Sequence, residues 1–276
     1  MNFVDWRIFY EAAKASDPYS VAGYFNPIQV AWVLKWTTFI PFTAWSLAMI
    51  GLSILAVFAV CKKSTHWVLL SAPFVSAMSW GSLDALLIAP AFLFGGVGLS
   101  LITMKPQIAI ILIPFKLAEW WRAGKTTEIR RFFMAVAALW GIPVLLRPSW
   151  MAEWLAALPT LESKAKNAAS LASMGSGATW AYSILAVTVI LILWLIFKKR
   201  NDFYLPMAIS PVVSPSYHLI AMESIGWQYC LLSWLVVIPN IWGEVNLFFL
   251  LPLYVLWSKR ERRQSESDFI PVRSNG

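Results

Sequence analysis

The chain has 276 residues, of which 59% are hydrophobic and 13% charged, and its formal net charge is +8. About a quarter of the residues of a soluble domain are charged, so this composition excludes a soluble protein and predicts a single integral membrane domain. The basic residues form short clusters beside apolar runs, as in cytoplasmic loops, which excludes a surface built to bind nucleic acid.

The N-terminal segment, residues 1–38, is polar and rich in aromatic side chains. Within it, apolar residues recur at helical spacing with charged residues between them, which predicts an amphipathic helix. Its apolar stripe consists of Trp6, Phe9, Tyr10 and Ala13, and its charged face of Arg7, Glu11 and Lys14. Because the segment carries no basic cluster, we expect it to lie on the outer side of the membrane.

Several apolar runs approach the length that a helix needs to cross a bilayer, roughly 20 residues. Residues 39–60 and 178–197 reach it, and residues 132–147 nearly do. The stretch from 67 to 118 is apolar but broken at glycines and at Lys105-Pro106, where the proline ends or kinks a helix. It predicts four short crossings, near residues 67–80, 84–94, 96–104 and 106–118.

A second outer segment, residues 148–177, is predicted between two of these apolar runs. Trp150, Trp154 and Leu158 recur in it at four-residue spacing, which indicates an amphipathic helix. Two interpretations remain open at this point. The helix either lies flat in the outer lipid interface or seals the outer rim of the protein.

The last apolar stretch, residues 203–257, is also broken by prolines. Three full crossings here would leave the basic residues 259–263 on the outer side, so we expect one segment not to cross. The sequence thus predicts an all-α, polytopic transmembrane helical bundle over residues 1–258, with roughly eight or nine membrane segments, several of them short or broken. Residues 259–276 are predicted to form a basic cytoplasmic tail.

Three ionisable residues lie in apolar surroundings, where polar groups usually mark function. Lys105 either snorkels from near a helix end or faces a cavity as a cation for an anionic head group, since a buried lysine costs about 2.5–3.5 kcal/mol. Asp84 either complements a helix dipole or belongs to a site. His218 lies in a segment broken by two prolines, and such backbone is tolerated at membrane depth mainly beside a cavity, so structural and functional roles both stay open.

Signals of common soluble enzymes are missing from the sequence. It contains no phosphate-binding glycine loop, no nucleophile elbow and no cluster of metal ligands. Its two cysteines, Cys61 and Cys230, are too few and too distant to predict a disulfide framework or a metal site. The sequence therefore predicts neither a cofactor nor a metal.

Five short motifs follow one another along nearly the whole chain: D-W-R-I-F-Y-E-A-A…D-P-Y (5–19), F-N-P (25–27), G-S-L-D-A-L-L (81–87), G-V-G-L-S-L-I-T-M-K-P-Q (96–107) and S-P-V-V-S-P-S-Y-H (210–218). In this order they resemble family 87 of the glycosyltransferases, multi-spanning enzymes of the type-C superfamily. Those enzymes transfer mannose or arabinofuranose from a polyprenyl-phosphate sugar to glycolipids or glycans on the outer face of the bacterial plasma membrane. The family has a transmembrane helix before the first motif, so we expect either that the true start of this chain lies upstream or that this chain has lost that helix.

The resemblance also implies a site. Asp5 matches the family's catalytic base and His218 a second catalytic residue, while Lys105 and Tyr217 would bind the donor phosphate. Further candidate site residues are Asp84, Tyr10 and Tyr19. The implied partners are a polyprenyl-phosphate sugar, a lipid or glycan acceptor and membrane lipids. The implied transfer inverts the sugar and requires no cofactor.

Two other functions compete with this one. A transporter or flippase-like protein would use Lys105, Asp84 and Glu223 along a pathway, although the internal repeat that transporters often show is not evident in the sequence. A truncated, inactive relative would keep the fold without the transfer reaction.

Overall fold

A computed structural model describes residues 4–224, 226–241 and 247–268, with side chains throughout except at 223–224, 238–241 and 260–268. Over these ranges the protein is helical and contains no β-strand, which confirms the all-α class. The α-helices are α1 Val4–Lys14, α2 Ile28–Lys35, α3 Phe42–Cys61, α4 Thr65–Leu70, α5 Ala72–Trp80, α6 Asp84–Leu93, α7 Gly95–Leu101, α8 Pro106–Arg122, α9 Thr126–Leu146, α10 Trp150–Ala157, α11 Leu161–Lys166, α12 Ala178–Phe197, α13 Tyr204–Ile209, α14 Trp227–Ile241 and α15 Leu250–Asp268. Short 3-10 helices cover Pro18–Ser20, Lys62–Ser64, Ile102–Met104, Leu171–Met174 and Pro215–Ser224.

Three helical stretches within the described ranges are long and apolar enough to cross a membrane: Phe42–Leu70, Thr126–Leu146 and Ala178–Phe197. They correspond to the long apolar runs of the sequence. Only 11% of the apolar window in Thr126–Leu146 and 22% of that in Ala178–Phe197 is buried inside the protein. Apolar side chains that remain exposed along most of a helix fit a lipid environment. The finer number of eight or nine crossings stays a prediction.

The broken stretch 67–118 contains the end of α4 and all of α5 to α8, because a break at Ser71 divides the predicted crossing 67–80 between α4 and α5. Helices α5, α6 and α7 have 9, 10 and 7 residues, so each is too short to cross alone. Helix α6 has 10 residues, and α7 with the following 3-10 turn has 7 and 3. Each arm therefore spans about 15 Å, half of a hydrocarbon core of roughly 30 Å. Helices α6 and α7 pack against each other as a hairpin, and the ion pair between Asp84 and Lys105 joins its two ends. The segments expected to cross at 84–94 and 96–104 thus form this hairpin, and neither is long enough to span the hydrocarbon core alone.

Glycines set the close packing of the α6–α7 hairpin. A Cβ atom at Gly98 would overlap the carbonyl oxygen of Pro90 in α6, and one at Gly96 would overlap the backbone of Glu128 in α9. The Glu128 carboxylate also accepts a hydrogen bond from the Gly96 N–H at 2.8 Å. Small residues allow helix backbones to approach closely in membrane proteins. They hold the tip of the hairpin against the first turn of α9.

The predicted apolar stripe of α1 is confirmed. Trp6, Phe9, Tyr10 and Ala13 are buried, whereas the charged residues between them are exposed. The Tyr10 hydroxyl donates hydrogen bonds to the carbonyl oxygens of Thr38 and Ile40, at 3.1 and 2.8 Å. These contacts attach α1 to the start of α3.

Helix α10 seals the protein and does not present its tryptophans to lipid. Trp150 and Trp154 are buried, with ring centroids 5.5 and 5.6 Å from that of Trp140. Arg147 ties the two polar segments together, because its guanidinium lies 3.0 Å from Asp17 and 2.5 Å from Glu153. We call the end of the bundle formed by residues 5–38 and 147–177 the loop end.

Basic residues meet at the opposite end of the bundle. Arg122 donates a hydrogen bond to Asn201 at 3.1 Å, and Asn201 donates one to Glu119 at the same distance. Lys259 donates to the hydroxyl of Tyr204 at 3.2 Å. The predicted boundary between the membrane domain and the tail, after residue 258, falls inside α15, whose backbone continues to Asp268. Residues 269–276 of the predicted tail lie outside the described ranges.

The hairpin packing leads to a stability prediction. Replacing Gly98 with alanine is expected to lower the free energy of unfolding by about 1–3 kcal/mol, because α6 and α7 must separate to admit the methyl group. Gly141 in α9 is the matched control, since a Cβ there would meet nothing within 4 Å. Gly141→Ala should instead stabilise the helix by about 0.5–1 kcal/mol. Thermal unfolding of both variants in detergent measures the difference, and equal midpoints would contradict the proposed close packing.

Candidate functional site

A cavity of about 990 Å³ opens at the loop end. Its walls come from α1, residues 23–26, the junction of α5 and α6, the turn before α8, α11 and residues 214–217. Four of the residues singled out from the sequence line it: Asp5, Asp84, Lys105 and Tyr217. These residues are far apart in the chain, so the fold brings them together.

The floor of the cavity contains a buried ion pair. The Lys105 ammonium lies 2.5 Å from a carboxylate oxygen of Asp84, and the two side chains are 10% and 0% exposed. Lys105 also donates a hydrogen bond to the Ser82 hydroxyl at 3.2 Å. The Ser216 hydroxyl donates to the second carboxylate oxygen of Asp84. The charges of Lys105 and Asp84 are therefore matched inside the protein, before any ligand is bound.

Local sequence explains how this pair forms. Gly81 ends α5 with φ of +82°, a conformation that favours glycine, and a Cβ there would lie only 2.6 Å from the Trp6 side chain. After this turn Asp84 enters the first turn of α6, where its charge complements the helix dipole. Pro106 begins α8, so Lys105 remains in the turn before that helix and not inside it.

Asp5 is a partly buried carboxylate in the first turn of α1. Burial raises the pKa of its carboxyl above the ordinary value of 3.8, and the negative charge of Asp84 raises it further. The positive charges of Lys105 and Lys164 lower this pKa in part. Such a carboxylate is a better proton acceptor than a solvated aspartate.

Helix α11 adds two cavity residues that the sequence did not single out as site residues. Lys164 and Lys166 both line the cavity, and the ammonium of Lys164 lies 5.7 Å from the centroid of the Phe25 ring. Lys166 is exposed and forms an ion pair with Glu162 at 3.1 Å. Burial lowers the pKa of Lys164, and the nearby charge of Lys105 lowers it further. In the sequence these lysines lie in the predicted outer segment 148–177, and no pattern placed that part of it over a cavity.

Three other predicted site residues do not line the cavity. His218 is 1% exposed, and its Nε2 atom lies 3.4 Å from the carbonyl oxygen of Ala169. Its ring is packed 6.0 Å from that of Phe248, so the fold gives His218 a packing position behind the cavity wall. Tyr10 holds α1 to α3, and Tyr19 packs on Tyr24 with ring centroids 5.8 Å apart. The side chain of Glu223 lies outside the described residues.

No group of three or more His, Cys, Asp or Glu side chains that could hold a metal ion occurs in the part of the chain that the structure describes. Cys61 and Cys230 are both buried and form no disulfide with one another. Neither lines the cavity.

Comparison with known proteins gives no match to a family model, a curated protein or a solved structure. The function is therefore argued from the cavity and its side chains.

The ion pair leads to a second prediction about stability. Lys105→Met should lower the free energy of unfolding by about 3–5 kcal/mol, because the Asp84 carboxylate is left buried without a counter-charge. Lys116, which pairs with Glu119 at 3.3 Å and is more exposed, provides the control. Lys116→Met should change stability by no more than about 1 kcal/mol.

A double variant separates loss of charge from loss of packing. Asp84→Asn combined with Lys105→Met removes both charges, so it should be more stable than Lys105→Met alone. Thermal unfolding of the purified variants provides the measurement. A double variant that is less stable than both single variants would contradict the assignment.

Proposed function

We propose that this chain is a membrane glycosyltransferase that moves a sugar from a polyprenyl-phosphate donor to a hydroxyl group of a lipid or glycan. One observation carries the proposal: a partly buried carboxylate, Asp5, and lysine side chains line the same cavity at one end of an apolar helical bundle. The cavity volume of about 990 Å³ lies at the upper end of ordinary ligand pockets, about 300–1,000 Å³. It therefore has room for a sugar, a phosphate and part of an acceptor.

The reaction needs one base. The acceptor oxygen attacks the anomeric carbon and forms the new glycosidic bond, while its proton moves to the Asp5 carboxylate. The bond between the anomeric carbon and the phosphate oxygen breaks, and its electron pair stays on that oxygen. The products are the glycosylated acceptor and polyprenyl phosphate. A single displacement inverts the configuration of the sugar.

Positive charge near the leaving group supports the same reaction. As the anomeric bond breaks, negative charge develops on the phosphate, and fixed cations in a poorly hydrated site stabilise that change. Lysine side chains line the cavity, and two of them, Lys105 and Lys166, are already held in ion pairs with Asp84 and Glu162. Side-chain amides on the walls are suited to hydrogen-bond the sugar hydroxyls. They belong to Asn26, Gln107 and Asn167.

The surroundings of the cavity suit a lipid-linked donor. Three helical stretches within the described ranges are apolar enough to cross a membrane, and the cavity lies at the end of this bundle opposite the basic clusters. A polyprenyl chain would stay in the bilayer while its phosphate enters the cavity. By the positive-inside rule the cavity end faces outward, so transfer would take place at the outer face of the plasma membrane.

The assignment of Asp5 as the base is tested with Asp5→Asn. Asparagine fits the same volume but cannot accept the proton, so transfer should fall about a hundredfold or more while donor binding persists. Asp17 is the matched control, since it lies in the same segment but pairs with Arg147 and does not line the cavity. Asp17→Asn should keep transfer near the parent rate. The assay is transfer of radiolabelled sugar from polyprenyl phosphate in membranes containing the full chain.

Two outcomes of this assay would contradict the proposal or the role of Asp5. Unchanged transfer by Asp5→Asn would remove Asp5 from the role of base. A parent chain that moves the lipid-linked sugar between leaflets and transfers no sugar would contradict the proposal and favour the flippase-like alternative.

The pH dependence of transfer gives an independent prediction. The base acts as a carboxylate, and burial raises the pKa of Asp5, so activity should be lost as the pH falls through a value above 3.8. The acid limb of kcat/KM against pH measures this value for the free enzyme. A limb at or below 3.8 would show that the base is a solvated carboxylate and not Asp5.

A further inference from the structure

Charge pairing in the cavity distinguishes its lysines from one another. Among the described residues, five aspartate and lysine side chains line it: Asp5, Asp84, Lys105, Lys164 and Lys166. Lys105 is matched by Asp84 at 2.5 Å, and Lys166 by Glu162 at 3.1 Å. Among the side chains that the structure describes, Lys164 has no ion-pair partner.

The position of Lys164 is set by the backbone around it. The Thr160 hydroxyl accepts a hydrogen bond from the N–H of Ser163 at the start of α11, and Ala165 next to Lys164 is buried. Beyond the helix, the N–H of Ala169 donates to the carbonyl oxygen of Val213 at 2.6 Å. These contacts attach α11 to the segment that contains Tyr217, so the backbone that carries Lys164 is held in place at the cavity wall.

Recruiting Lys105 for an anionic ligand would be unfavourable. Its ammonium would have to leave Asp84, whose carboxylate is 0% exposed and would then lack a counter-charge. Within the described side chains, Lys164 has no such pair to break. It is already half-buried beside the Phe25 ring, so part of its hydration is lost before a ligand arrives.

We propose that Lys164 is the residue that binds the phosphate of the donor, and that Lys105 instead holds the cavity floor together with Asp84. This inference rests on the proposed transfer reaction, in which the donor phosphate is the leaving group. Because negative charge on that phosphate rises as the anomeric bond breaks, contact with Lys164 strengthens towards the transition state. Lys164 therefore contributes both to donor affinity and to turnover.

The test compares Lys164→Ala with Lys166→Ala, a lysine two residues away that lines the same cavity but is already paired. The full chain is placed in nanodiscs of zwitterionic lipid, and binding of polyprenyl-phosphate mannose and transfer of its sugar are both measured. Lys164→Ala should weaken binding about tenfold or more, as for loss of a hydrogen bond to a charged group, and should lower kcat as well. Lys166→Ala should remain within about twofold of the parent, and Lys164→Arg should keep part of the affinity because the charge survives.

A pH profile separates this role from a merely structural one. The charge of Lys164 favours the carboxylate form of Asp5, so Lys164→Ala should move the acid limb of transfer to higher pH, whereas Lys166→Ala should not. Equal unfolding temperatures of the two variants would show that α11 keeps its place. If Lys164→Ala binds the donor as tightly as the parent does, the inference is wrong even though the transfer reaction stands.

Polyprenyl phosphate without a sugar separates this inference from the proposed function. If the parent transfers no sugar but binds polyprenyl phosphate through Lys164, the proposed function fails and the phosphate site remains. If the parent binds neither lipid, both fail. The last measurement repeats donor binding in nanodiscs that contain the anionic lipid phosphatidylglycerol. If this lipid abolishes donor binding by the parent but not by Lys164→Ala, the ligand of Lys164 is an ordinary anionic lipid. That result would overturn the assignment to the donor.

Discussion

The buried ion pair between Asp84 and Lys105 is the contact on which the rest of the cavity depends. It joins the beginning of the α6–α7 hairpin to its end, since the Lys105 ammonium lies 2.5 Å from an Asp84 carboxylate oxygen. Both side chains are almost completely buried. A charge in apolar surroundings is tolerated only with a partner, so the pair determines where the hairpin returns. The hydrogen bond from Ser216 to Asp84 then brings the segment containing Tyr217 against the same floor.

The walls of the cavity are supplied by segments that are distant in the sequence. Helix α1 can approach the floor because Gly81 leaves room for Trp6. The N-terminal segment is in turn held to α10, since the indole N–H of Trp154 donates to the carbonyl oxygen of Phe25 at 3.0 Å. The cavity is therefore built on a rigid floor with walls attached by side-chain contacts. This arrangement preorganises the polar groups that line the cavity, which is a common requirement of catalysis.

The ion pairs separate the charged cavity residues into those that stabilise the fold and those that are available for a reaction. Asp84 and Lys105 neutralise one another and maintain the floor, although in the sequence Lys105 is the residue that most strongly indicates a ligand cation. Asp5 and Lys164 have no comparably close partner within the described side chains and carry opposite charges. A carboxylate suited to take a proton and a cation suited to hold an anion then share one cavity. That pairing underlies the proposed transfer chemistry.

The sequence by itself determined the membrane class, the long apolar helices and the buried stripe of α1. These depend on composition and on helical periodicity, which act over a few neighbouring residues. It also located the helix breaks at Gly81 and before Pro106. Glycine permits backbone angles that other residues avoid, and proline cannot continue a preceding helix. Only the tertiary structure decided that Lys105 is neutralised by Asp84 and that His218 is packed behind the cavity wall. It also decided that Lys166 has an ion-pair partner while Lys164 has none among the described side chains. Such outcomes depend on distances between residues remote in the sequence, and those distances are set by how the helices pack.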